Sequence, residues 1–338
     1  MSPPLPVFDG HNDTVLRLWQ DRLPIQAFVD GVEAGHLDLP RARRGGFAGG
    51  LFACFVPSVR GSESEQPRTP DQAYAQRVTM ALAARLRWLE RAGALSLCRS
   101  VADIRRSMGE GRIAAVFHIE GAEAIDPELE ALEVLHAAGL RSLGPVWSRP
   151  NVFGHGVPFR FPSSPDTGPG LTEAGFTLVK ACNTLRILID LSHLNERGFW
   201  EVAERTTAPL VASHSNAHAL CPHSRNLTDR QLAAIRESGG LVGLNFAAGF
   251  LREDGRDDAD TPLETLARHL DHLAERLGID GVALGSDFDG CTVPHPIADA
   301  AGLPRLFAHL RARGWDEAGL RKLAHENWLR VLERIWGE

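Results

Sequence analysis

Short apolar runs alternate with longer amphipathic ones along this chain. The short runs cover residues 7–13, 47–57, 113–120, 140–147, 186–193, 209–214, 240–246 and 281–287. Each is bounded by Gly, Pro or Asp and several are β-branched, the pattern of strands buried on both faces of a parallel sheet. The longer runs repeat apolar residues every three or four positions. Residues 71–91 place Val78, Leu82, Leu86 and Leu89 on one helical face. Residues 127–138, 172–185, 195–205, 229–238 and 261–277 follow the same rule, and the tail reads as two more helices over 303–313 and 315–336. Thr172-Glu173 and Asp229-Arg230 have the look of capped helix starts.

Eight strands alternating with helices predict an α/β fold, specifically a closed (β/α)₈ or TIM barrel. A doubly wound open sheet is the alternative. It loses its usual support because no GxGxxG follows an early strand. Residues 150–170 are rich in Pro, Gly, Ser and Phe and read as a long loop at the mouth of the barrel. No internal repeat or linker interrupts the chain, so residues 1–338 are expected to form one domain with C-terminal helices.

Composition changes little in this picture. A hydrophobic fraction of 43% and a charged fraction of 23% suit a globular protein. A net charge of −7 without a basic run argues against a nucleic-acid partner. No apolar stretch is long enough to span a bilayer and no signal peptide is evident. The five cysteines contain no CxxC and read as buried free thiols, which suits a cytoplasmic home.

The chemistry lies at the ends of the apolar runs. The first closes on His11-Asn12-Asp13, and the period of two along a strand points His11 and Asp13 the same way. The third closes on His118-Ile119-Glu120, where the same parity links His118 with Glu120. Others close on His193, His214 and Asp287. A lone histidine in a strand is usually a hydrogen-bonded core residue. In a barrel, however, the C-terminal strand ends converge on one region. Three imidazoles and several carboxylates there would bind a divalent ion, and zinc accepts such donors at about 2.0–2.2 Å. Glu120 could bridge two ions roughly 3.5–4 Å apart.

At these residues the chain resembles the membrane (renal-type) dipeptidases, the M19 metallopeptidase family. The resemblance rests, in order, on Asp9-Gly10-His11-Asn12-Asp13, Ile119-Glu120-Gly121, Leu191-Ser192-His193, Ser213-His214-Ser215, Arg225-Asn226 and Gly285-Ser286-Asp287-Phe288-Asp289-Gly290. It implies a homodimeric, binuclear zinc barrel that hydrolyses dipeptides through a metal-bridging hydroxide, often accepting a D-residue at the C-terminal position. It further implies that His11 and Asp13 bind the first zinc, that Glu120 bridges both ions, and that His193 and His214 bind the second. By the same resemblance Arg225 grips the substrate carboxylate and Asp287 exchanges a proton with the bridging water and the leaving amine.

Two positions depart from the family pattern. Within residues 144–151, Trp147 stands where members commonly carry a substrate-contacting histidine, unless His155 replaces it. Phe250 lies where some members have a tyrosine. Trp147, Asn151 and Phe250 are candidates for substrate contact, while His118, His155, His218, His223 and Asp289 are expected as supporting or loop residues. The departures keep two further readings open. One is an amidohydrolase acting on N-acyl or otherwise modified amino acids, and the other is a barrel that binds without catalysis.

Overall fold

The apolar runs form strands with their polar ends trimmed. A computed structural model describes residues 3–58 and 69–337; positions 1–2, 59–68 and 338 of the single-domain expectation lie outside them. The barrel strands are β1 (Val7–Asn12), β2 (Phe47–Phe55), β3 (Ile113–Glu120), β4 (Leu140–Gly144), β5 (Leu188–Ile189), β6 (Val211–Ala212), β7 (Leu241–Leu244) and β8 (Val282–Leu284). Neighbours pair in parallel from β1 to β5 and from β6 to β8. Two bridges join these arcs into a ring, Asp190 with Val211 and Asn12 with Phe288. At the second, Asp13 N donates to Phe288 O at 2.8 Å and Asp287 N donates to His11 O at 2.9 Å. The ring is the expected (β/α)₈ barrel, with helices between successive strands.

Strand parity separates two cores. On β3, Ala115, Phe117 and Ile119 pack outward against the helices with Leu143, Val242 and Leu284. Ala114 and Val116 belong instead to an inner cluster with Phe8, Leu51, Leu188, Val211, Leu241 and Ala283. Trp328, wholly buried, seals that cluster and donates its indole N–H to Leu284 O at 2.9 Å. The same inner parity carries His118 and Glu120 towards the other end of the barrel. Close approach matters at Gly10: a Cβ there would lie 2.2 Å from Ser213 O and 2.5 Å from Trp328 Cζ2, so β1 can pass between them only as glycine.

Several boundaries differ from the pattern-based reading, each for a local reason. The fifth and sixth runs shrink to two ladder residues because Asp190 takes over as acceptor. It receives Ser192 N at 3.1 Å and Ser213 N at 2.8 Å, which releases the chain from regular pairing before His193 and His214. The helix over 229–238, by contrast, keeps its expected bounds, with Thr228 as its cap in a reciprocal box with Gln231. The tail expected as one helix over 315–336 divides into Glu317–Arg321, a π turn at Lys322–Glu326, and Asn327–Trp336. Helices Thr14–Gln20, Ile25–Asp30, Leu39–Gly45 and Val101–Gly109 were hidden by short or interrupted periodicity.

The stretch 150–170 holds a small hairpin, Pro150–Asn151 with Gly154–His155. All five cysteines are free; four are buried as expected, whereas Cys291 is partly exposed and lines the cavity described below. No helix among the described residues is long and apolar enough to cross a membrane.

Candidate active site

The barrel closure brings the metal-capable residues of five strand ends together. Glu120 Oε1 lies 2.8 Å from His193 Nε2, 3.5 Å from His214 Nε2 and 3.7 Å from His11 Nε2. Asp13 Oδ2 lies 3.5 Å from His11 Nε2, and the Nε2 atoms of His193 and His214 are 3.1 Å apart. All five residues are buried. Oxygen and nitrogen atoms of His11, Glu120 and His214, and likewise of His11, Asp13 and Asp287, lie within 4.8 Å of one another.

This donor set fits metal ions. Among the described residues, both ring nitrogens of His11 and Asp13 Oδ1 are buried without a hydrogen-bond partner, an arrangement that proteins normally avoid. Burial alone would lower the His11 pKa, yet the Glu120 and Asp13 carboxylates raise it to about 10. The cluster therefore has a strong demand for positive charge. His193 and His214 lie well below the ordinary imidazole range, through burial and then the cations Arg225 and His11 around them. They are held neutral, as ligands must be.

Hydrogen bonds around the rings set the tautomers of His214 and His193. Ser213 Oγ donates to Asp190 Oδ2 at 2.5 Å and lies 2.7 Å from His214 Nδ1. With its proton spent on Asp190, the hydroxyl can only accept from His214 Nδ1–H. That leaves His214 Nε2 with a free lone pair facing Glu120. Ser148 Oγ stands 2.8 Å from His193 Nδ1, and Arg225 Nη2, which can only donate, lies 3.3 Å from His193 Nε2, so this ring too carries its proton on Nδ1. Replacing Ser213 with alanine is expected to weaken metal retention about 10–100-fold while leaving the fold intact. Competition against a chelator of known affinity would measure this, and an unchanged dissociation constant would show that the relay is idle.

Asp287 sits just past β8 at φ +60°, its Oδ2 accepting from Asn245 Nδ2 at 3.0 Å. In the protein alone burial dominates and pushes this carboxyl up to about 6, against the opposing influence of His11. Arg225 is buried and anchored, with Nη1 donating to Ser215 Oγ at 2.9 Å and Nη2 to His214 O at 3.0 Å. Its Nε has no partner among the described residues, and burial lowers its pKa to about 10.

These groups line a cavity of about 480 Å³. Asp13, Glu120, Trp147, His193, His214, Arg225, Phe250 and Asp287 all face it, and His11 adjoins Asp13 and Glu120. Asn151 does not. Its amide donates to Pro145 O at 2.9 Å and accepts Phe153 N at 2.8 Å, so the hairpin consumes both ends. His155 is turned to Gly170 O and does not stand in for the missing histidine. His118 sits behind His11, its Nδ1 2.8 Å from Ser142 Oγ, and His218 bonds to Ser163 O. His223 does reach the cavity. Asp289 anchors its loop through Arg17, 3.0 Å away, and through Thr14 Oγ1 and His36 N.

Sequence reasoning missed several supports. Asp9 has the parity of His11 and Asp13 but bonds elsewhere, accepting Ser286 N at 2.7 Å and Ser286 Oγ at 2.8 Å. It ties β1 to the turn that presents Asp287. Asp190, Asn245 and Phe159 are polar or aromatic residues in loops and strand ends, with no spacing that distinguishes them.

The comparisons with known proteins agree with this geometry. The family model described as membrane dipeptidase, peptidase family M19, matches residues 2–336. A Klebsiella pneumoniae protein, described as an uncharacterized protein in the pqqA 5′ region, is 58% identical over 245 residues, 72% of this chain and 90% of its own length. A metallo peptidase from Rhodobacter sphaeroides, crystallised with a phosphinate mimic of the dipeptide L-Ala-D-Ala, superposes with a TM-score of 0.96 at 55% identity, covering 98% of this chain and 100% of its own. The crystal structure of dipeptidase AC, a family M19 metallo peptidase, gives 0.96 at 58% identity and 99% of both chains. This chain belongs to the membrane dipeptidase family, peptidase family M19, and is a metallo-dipeptidase.

Proposed function

We propose that the protein hydrolyses dipeptides with two zinc ions and accepts a D-residue at the C-terminal position. The observation that carries this reading is the convergence of His11, His193 and His214 on one oxygen of Glu120, with Asp13, Asp287 and Arg225 beside them. His11 and Asp13 would hold one ion, His193 and His214 the other, and Glu120 both. When bound, two zinc ions act as Lewis acids and lower the pKa of a water between them towards neutrality, which makes hydroxide available.

The remaining work falls to the chain. Asp287, held by Asn245, accepts the proton released as the nucleophile forms and returns it to the departing amine. Arg225 is already clamped by Ser215 and His214 O, so its orientation costs little to establish when a carboxylate arrives. Trp147 packs 5.7 Å from the His193 ring and shields that side of the site from water. The D-residue preference is supported by the L-Ala-D-Ala mimic in the Rhodobacter protein. Family resemblance supports a homodimer, and five free thiols suit the reducing cytoplasm.

The test is a panel of L-Xaa-D-Xaa and L-Xaa-L-Xaa dipeptides set against N-acyl amino acids, assayed on zinc-loaded protein. Turnover of N-acyl substrates alone would replace this reading with the amidohydrolase one, which the tryptophan at 147 motivates. Within the same panel, Arg225→Ala should raise KM for dipeptides with a free carboxylate by about 10²-fold, the loss of a charge-assisted contact. C-terminally amidated dipeptides should respond far less, and equal losses on both would remove the carboxylate role.

A further inference from the structure

The cavity has a mixed lining, in which Asp13, Asp287 and Thr292 are joined by an arc of rings. Within the arc Phe159 is central. Its ring centroid lies 5.5 Å from Trp147, 5.5 Å from Phe250, 6.1 Å from His223 and 6.3 Å from His193. Despite these four neighbours, Phe159 remains 50% exposed, which is unusual for a phenylalanine so surrounded.

The exposure is not that of a loose loop. Val157 N donates to His193 O at 2.8 Å, just before Phe159. Ser224 Oγ donates to Pro158 O at 2.6 Å and accepts Arg160 N at 3.0 Å, while Ser224 N donates to Arg160 O. The backbone is thus stapled on both sides of Phe159, to the loop carrying His193 and to the loop carrying Arg225. A ring fixed in this way and left half open offers a preformed apolar surface at the mouth.

Its position relative to Arg225 identifies the part of the substrate concerned. The Arg225 guanidinium lies 5.8 Å from the Phe250 ring, and Arg225 N donates to His223 Nδ1 at 3.1 Å. Phe250 and His223 are two of the rings that Phe159 touches. A carboxylate gripped by Arg225 therefore brings the side chain of the C-terminal residue to this corner.

We propose that Phe159 is the platform for the side chain of the substrate's C-terminal residue, so that the enzyme favours dipeptides with a large apolar, above all aromatic, group at that position. This specificity rests on the dipeptidase reading above and goes beyond it. The physical cause is removal of apolar surface from water on both partners, together with ring-on-ring contact.

The test compares kcat/KM for L-Ala-D-Phe with that for L-Ala-D-Ala, using zinc-loaded full-length protein and its Phe159→Ala and Phe159→Leu variants. The ratio should favour D-Phe in the wild type and fall about tenfold in Phe159→Ala, with Phe159→Leu recovering part of it. Because the readout is a ratio, a general loss of activity from disturbing His193 cancels. The ratio of L-Phe-D-Ala to L-Ala-D-Ala should move less than about twofold, as expected for a group outside the contact. An unchanged D-Phe ratio overturns the platform. So does a rise, which would make the ring a steric stop, or a change confined to the N-terminal position. If the wild type cleaves none of these dipeptides, the dipeptidase reading itself falls, which is a different result from an active enzyme with an unmoved ratio.

Discussion

Asp287→Asn should retain the fold and, in excess zinc, its metal, yet lose about 10²–10⁴-fold in kcat, the range for removal of a general acid–base group. The substitution is nearly isosteric. The amide oxygen can still accept from Asn245 Nδ2, and the backbone bond from residue 287 N to His11 O, 2.9 Å in the native chain, does not involve the side chain. What disappears is the capacity to take up a proton beside the scissile bond. KM should change little, because Arg225 and the aromatic wall are untouched. Metal analysis with kcat at saturating substrate checks this, and a near-native kcat would mean that the proton passes through another group.

Glu120→Gln should have an effect of comparable size by a different route. Glu120 Oε1 is the point on which His193, His214 and His11 converge, at 2.8, 3.5 and 3.7 Å. Replacing it with a neutral amide leaves an uncompensated cation at a buried site, a change worth about 3–5 kcal/mol, or roughly 10²–10³-fold or more in metal affinity. The variant should lose its metal on dialysis, and with it the activity. It should also lose the rise in Tm that zinc confers on the native chain, since stabilisation by a ligand depends on its binding to the folded state. Equal metal content in the dialysed wild type and Glu120→Gln would disprove the bridging role.

Part of the basis for the Glu120 role can be read from the chain itself. That residues 113–120 form a strand ending in a carboxylate follows from an unbroken apolar run and its period of two. The pairing of His118 with Glu120 on one face follows from the same parity. The structure keeps that parity but uses it unequally: Glu120 reaches the cavity while His118, bonded to Ser142 through Nδ1, does not line it. Depth along the barrel axis is set by the stagger between neighbouring strands, and no single strand encodes it.

Asn151 and Asp289 illustrate the same limit from the loops. Both are polar residues near the mouth in sequence. Asn151 closes a hairpin and Asp289 holds Arg17, so neither side chain is free for a ligand. Loop side chains have no periodicity to report their direction, and their own backbone competes for their hydrogen bonds. The reverse error concerns Phe159, which composition alone places in a Phe-rich loop. Only the staples through His193 and Ser224 turn it into part of a wall.

What the chain determines by itself is therefore the alternation of buried strands and amphipathic helices, and the placing of histidines and carboxylates at strand ends, because both are local and periodic. The tertiary structure alone decided which of these groups share a cavity, which tautomers Arg225 and Ser213 impose on His193 and His214, and how Asn245 and Asp9 present Asp287. Those features depend on contacts between residues as far apart as Asp9 and Ser286, which become neighbours only when the ring of strands closes.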